Sequence, residues 1–172
     1  MGDLFDKVTE GQDPLTKLIS KVPGFNGYIE KNTRRAADKL LREQITAVYT
    51  ELWKRVGNLQ QDLASSGEIQ HLDELETAAT KIQTFIDKIS NAAYGYAGFF
   101  DAIKIKEEEL AKIYQFDAAL LEMSDEVSRA IDNVETSIGS DGLPATIRHL
   151  VSLARDLVST FERRHEVVVA IE

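Results

Sequence analysis

A chain of 172 residues, 43% hydrophobic and 28% charged, has the length and apolar content of one globular domain, which excludes a disordered chain. It has no cysteine, so disulfides, thiolate metal sites and cysteine nucleophiles are excluded. The net charge of −9 argues against general nucleic-acid binding, and no apolar run approaches the roughly 20 residues that span a bilayer.

The N-terminus, Met1-Gly2-Asp3-Leu4-Phe5-Asp6, has neither a basic n-region nor an apolar h-region. Asp6 also breaks the myristoylation pattern, so the expected location is the cytoplasm. Residues 1–24 read as an appendage. In it Asp13-Pro14-Leu15 predicts the start of a short amphipathic helix with Leu15, Leu18, Ile19 and Val22 on one face, ended by Pro23-Gly24.

Residues 25–172 read as four long helices. The first runs from about Tyr28 to Ala64, with an apolar stripe of Leu41, Ile45, Val48, Leu52, Val56, Leu59 and Leu63. Ser65-Ser66-Gly67 stops it. The second starts near Glu68 and carries the cleanest heptad: Leu72, Leu75, Ala79, Ile82, Ile86, Ile89, Ala93 and Tyr96, widened by Phe85. The run from Tyr94 to Asp101 contains Gly95 and Gly98; the helix is expected to continue through it to about Asp101. Ile103 to Lys106 reads as an extended connector.

The third helix opens on Glu107-Glu108-Glu109, which suits the positive end of a helix dipole. Its stripe is Leu110, Ile113, Leu120, Val127, Ile131, Val134 and Ile138. Gly139 to Pro144 is a stop-and-restart signal. The fourth helix carries Ile147, Leu150, Val151, Ala154, Leu157, Val158, Phe161 and Val168. Four segments of similar length with short joints predict an all-α, antiparallel up-down-up-down four-helix bundle.

Glu68-Ile69-Gln70-His71 and Glu162-Arg163-Arg164-His165 are both E-x-x-H, the pair that di-metal carboxylate bundles place on facing helices. In an up-down-up-down bundle these motifs fall at opposite ends, so no metal and no cofactor is expected. Glu68 then serves a helix start and His165 a helix end. His149, beside Ile147 and Leu150, reads as a boundary residue. Asp101, Asp117 and Glu122 read as solvated surface carboxylates rather than an acid–base pair. Trp53 is assigned to a core edge or a subunit contact.

Charge is unevenly distributed. Leu15 to Arg55 holds nine basic and four acidic residues, whereas Val56 to Pro144 holds six basic and seventeen acidic. Antiparallel folding predicts a basic pole of Arg34, Arg35, Lys39, Arg42, Lys104, Lys106, Arg163 and Arg164, and an acidic pole opposite. These charges either form that pole or pair between neighbouring helices. The basic pole also receives the aromatic run, so Arg34, Arg35, Arg42, Tyr94, Tyr96, Phe99 and Phe100 are the expected interaction residues.

The segment Pro23-Gly24-Phe25-Asn26-Gly27-Tyr28, the run Arg34-Arg35-Ala36-Ala37-Asp38-Lys39-Leu40-Leu41-Arg42 and the stretch Ala93 to Ala102 resemble a group of bacterial all-helical proteins to which no activity is attached. The resemblance covers most of the chain beyond the appendage and implies a bacterial origin. The function expected from these residues is a non-enzymatic interaction or scaffold protein that contacts another protein or itself. The alternatives are a peripheral membrane protein using the N-terminal amphipathic segment and the basic pole, and a ferritin-like di-metal protein.

Overall fold

Glycines with φ of 82° mark three helix ends, at Gly24, Gly67 and Gly139. This left-handed conformation is costly for residues with a Cβ, and it lets the chain turn out of a helix within two residues. At Gly67 the Glu68 N–H donates back to the Leu63 carbonyl at 2.9 Å, closing the last turn of the helix before it. At Gly139 the Ser140 N–H donates to the Ser137 carbonyl at 3.0 Å.

The computed structural model describes residues 14–30, 34–92 and 107–169. They form six helices: α1 Pro14–Lys21, α2 Phe25–Glu30, α3 Arg34–Ser65, α4 Leu72–Asn91, α5 Glu107–Ser137 and α6 Leu143–Val169, with a single 3-10 turn at Ile69–His71. Among the described residues there is no strand, and no helix is long and apolar enough to cross a membrane. The first long segment expected from Tyr28 is two helices, α2 and α3. The question of a break at Gly95 lies outside the described residues.

Side-chain contacts fix the relative directions. Thr46 meets Ser90 at 3.4 Å and Gln60 donates to Glu76 at 2.5 Å, so α3 and α4 form an antiparallel hairpin. The turn at residues 138–142 makes α5 and α6 a second one. The hairpins lie side by side with like directions adjacent. Tyr49 and Arg55 of α3 reach Leu120 and Ser128 of α5. Phe85 and Lys88 of α4 reach Phe161 and Glu162 of α6. Consecutive helices α4 and α5 share no extended packing. They were expected to be antiparallel neighbours, but the fifteen residues between Asn91 and Glu107 can cross the diagonal between helices about 10 Å apart.

The interior follows seven-residue spacing. In α3 the fully or nearly buried apolar residues are Ala37, Leu41, Ile45, Tyr49, Leu52, Val56, Leu59 and Leu63. Tyr49 occupies the place that apolarity alone assigned to Val48. Its ring packs edge-on against Phe85 at 4.8 Å, and its hydroxyl donates to the Leu120 carbonyl. That bond satisfies the one polar atom of an otherwise apolar plug. In α4 the buried face is centred on Leu75, Ala78, Ile82, Phe85 and Ile89. Phe85, expected at the margin, is fully enclosed because α6 brings Phe161 to within 6.2 Å of it.

The N-terminal helix belongs to the same interior. Leu18 and Val22 of α1 and Phe25 of α2 join the main core cluster, and the Phe25 ring meets Tyr114 of α5 edge-on at 5.7 Å. Lys21 pairs with Glu122 at 3.4 Å and Asp125 at 3.1 Å, fastening α1 along α5. Residues 116–121 of α5 are therefore buried on every side, and Leu18 and Val22, expected on one face of the appendage helix, are part of the bundle core. Truncating a fully enclosed leucine removes its transfer energy and leaves a cavity. Leu18→Ala should lower stability by about 2–5 kcal/mol in urea denaturation; an expendable appendage would leave the midpoint unchanged.

Candidate functional site

Continuing the seven-residue spacing of each helix toward one end of the molecule leads to charged residues. Stepping back from Leu59, Leu52 and Ile45 gives Asp38, and from Leu63, Val56 and Tyr49 gives Arg42. Ile131 and Ser124 lead to Asp117, and Leu150 and Leu157 lead to Arg164. All four occupy core positions and all four are enclosed: Asp38 is 3% exposed, Arg42 8%, Asp117 0% and Arg164 0%.

The four form a connected, neutral set. Arg42 Nε donates to Asp38 Oδ2 at 2.8 Å along α3. Arg164 of α6 donates through Nε to Asp117 Oδ1 at 2.7 Å and through Nη2 to Asp117 Oδ2 at 3.4 Å. The same Nη2 reaches Asp38 Oδ1 at 3.1 Å. One guanidinium thus ties α3, α5 and α6 together by charge-assisted bonds, the strongest class of hydrogen bond available to these residues. Burial pushes the Asp117 carboxyl above the usual carboxylate range; Arg164 opposes this by its charge and its hydrogen bonds, Asp38 reinforces it and Arg42 opposes it.

This arrangement corrects two expectations. Asp117 is not a solvated surface carboxylate: it is fully enclosed, and Arg164 meets it within the interior. Arg42 and Arg164 are not part of an exposed basic pole: both sit in the interior and are neutralised by the two aspartates. Sequence reading missed the set because charged residues were assigned to the surface by type. The available signal was position, since each of the four continues a heptad of buried residues. Chemically the set is a structural clamp, its carboxylates committed to guanidinium groups and closed to solvent.

Of the other expected interaction residues, Arg34 and Arg35 open α3, at the end where α4 finishes and α6 finishes. Tyr94, Tyr96, Phe99 and Phe100 lie outside the described residues. Pairing between neighbouring helices is frequent among the exposed charges, as in Lys88–Glu162 at 2.9 Å and Arg55–Asp132. The two E-x-x-H motifs stand apart. Glu68 and His71 flank the start of α4, 3.9 Å from each other, whereas Glu162 is paired to Lys88 near its end. With the length of α4 between them, about 25 Å, they share no metal. Among the described residues no group of three or more His, Asp or Glu is placed to hold one. His149 is exposed.

Comparison with known proteins finds no matching family model, no matching curated protein and no matching solved structure.

Removing Arg164 leaves two carboxylates facing each other in the interior, and breaking a buried pair in this way costs about 3–5 kcal/mol. The pH dependence has a definite sign. The Asp117 carboxyl lies above its unfolded value already, and loss of the arginine raises it further. A carboxyl raised by folding stabilises below its unfolded pKa and loses that contribution as pH rises through the folded value. Arg164→Met should therefore be strongly destabilised at neutral pH, with the deficit relative to wild type narrowing as pH is lowered toward 5. Urea titrations at the two pH values read this directly; a deficit that grows on acidification would contradict it.

Proposed function

We propose that this chain is a non-enzymatic interaction or scaffold protein, built as an up-down-up-down four-helix bundle, whose basic end receives an acidic surface of another protein. The observation that carries this reading is the start of α3. It opens on Arg34-Arg35 and has no acidic residue in its first turn. Cations at a helix N-terminus oppose the helix dipole, each by about 0.3–1 kcal/mol. By contrast α4 carries Asp73 and Glu74 in its first turn, as the dipole favours. An anionic partner at the start of α3 relieves the repulsion that the helix otherwise bears.

Two further features support the reading. The neutral clamp of Asp38, Arg42, Asp117 and Arg164 lies about one to three turns in from this end, so the contact end rests on a braced interior. The chain also leaves α4 at that end on its way into the run containing Tyr94, Tyr96, Phe99 and Phe100. Aromatic and arginine side chains are the ones enriched at interface hot spots. Cytoplasmic location and bacterial origin accord with this role. The membrane-surface alternative is less well supported, because the apolar face of α1 that would enter a bilayer is packed on α5 at Leu18 and Val22.

Exchanging Arg34 and Arg35 for glutamate should give opposite effects on stability and binding. The melting temperature should hold or rise slightly, since acids suit a first turn. Native mass spectrometry of protein purified gently from its own cells should find a partner complex with wild type and none with the double variant. Retention of that complex by the double variant would refute the assignment of the basic end.

A further inference from the structure

The outer face of the α3/α4 hairpin is a long groove of about 1210 Å³ running between the two helices. Trp53, the single tryptophan of the chain, stands at its edge and is 38% exposed. Gly57 lies one turn further along α3, in the floor of the groove. A glycine inside a helix costs about 1 kcal/mol relative to alanine. Among the described residues nothing requires it there, because a Cβ on Gly57 would meet none of their atoms within 4 Å. What a bare position on an open helix face permits is close approach of a backbone from outside.

The charges of the groove are disposed about that glycine. Lys54 lies three residues before Gly57. Glu76 of α4 is hydrogen-bonded to Gln60, three residues after Gly57. A twofold axis crossing the groove at Gly57 exchanges these two levels. It brings Lys54 of each copy to the level of Glu76 of the other, twice per dimer, and sets Trp53 over the Gln61–Ala64 stretch of the second copy. Self-complementarity of this kind is what a twofold interface requires.

We propose that the α3/α4 face is a self-association surface, on which two copies of this chain pack antiparallel across Gly57 with reciprocal Lys54–Glu76 pairs. This goes beyond the role assigned to the basic end and uses a different face, so either can fail alone. The same axis brings Glu51 to the level of Asp73 of the second copy, which is the unfavourable element. The ion pair between Glu51 and Lys54, at 2.9 Å, offsets it.

The test uses the full chain in sedimentation velocity across about a hundredfold range of concentration, where a reversible dimer shows mass action. Wild type should pass from monomer to dimer, with Trp53 emission moving to shorter wavelength in parallel. Gly57→Leu should remain monomeric while its melting temperature, measured at low concentration, holds or rises, since the added side chain meets open space and improves helix propensity. Lys54→Glu and Glu76→Lys should each weaken the dimer about tenfold or more, and the two changes together should restore it. A wild-type monomer throughout, a dimer that survives Gly57→Leu, or a double exchange no better than either single change would each overturn the proposal. A wild-type monomer that still yields the partner complex sensitive to Arg34 and Arg35 would reject this face and leave the basic end intact.

Discussion

A buried layer of two arginines and two aspartates is the constraint around which the rest of the molecule is arranged. Taking four charges out of water is costly, and their mutual attraction repays that only if each meets its partner in good geometry. Asp38, Arg42, Asp117 and Arg164 come from three helices and meet at 2.7–3.1 Å in their principal contacts. Apolar layers of leucine, isoleucine and valine tolerate small shifts of one helix along another, because any such layer resembles the next. The charged layer does not. A slip of α6 by one heptad would carry Arg164 away from both carboxylates and set it among apolar side chains, leaving Arg164 and Asp117 unmatched. The layer is therefore best understood as the element that specifies how the second hairpin sits beside the first. Polar residues at single core positions of coiled coils set register in the same way, at some expense of stability.

The two hairpins are treated unequally by the N-terminal segment. Helix α1 and the start of α2 lie on α5, where Leu18, Val22 and Phe25 complete the core and Lys21 pairs with Glu122 and Asp125. Asp117 lies within the stretch 116–121 of α5 that is buried throughout. The α3/α4 hairpin has no such cover among the described residues. Its outer surface retains Trp53 and the groove about Gly57. One face of the molecule is thereby closed from within, and the outer face of the α3/α4 hairpin keeps an aromatic at the edge of an open groove.

Most of the architecture was legible because the spacing of apolar residues survives into three dimensions. Helix ends at Gly67 and Gly139, the start of α5 at Glu107 and the stripes of α3 to α6 follow from punctuation and period. What was not legible was where residue type and residue position disagree. The apolar stripe included Val48 and passed over Tyr49; the valine does pack against the core, but the tyrosine fills the interior, with Leu120 supplying an acceptor for its hydroxyl. Phe85 was read as a margin because α4 alone does not reveal that Phe161 closes on it. The charged layer was misread for the same reason in stronger form. Each of its members continues a heptad of buried residues, but burial of a charge is acceptable only if the opposing charge arrives from another helix. That is a property of the packing and not of any one segment. The side-by-side order of the hairpins was equally inaccessible, because short turns dictate only that α3 and α4, and α5 and α6, are antiparallel.

The same layer changes how the basic end should be understood. Counting charges along the chain places eight cations there, but Arg42 and Arg164 are spent inside against Asp38 and Asp117. They contribute almost no field at the surface, since the layer as a whole is neutral and its dipoles are short. Any electrostatic character of this end must come instead from charges that the fold does not cancel. Arg34 and Arg35 stand in a helix first turn that holds no acid of its own. Their position is electrostatically unfavourable for an isolated helix, and a chain with 29 acidic residues had ample means to place a carboxylate there. An anion supplied from outside would convert the same placement from a local strain into a source of binding energy.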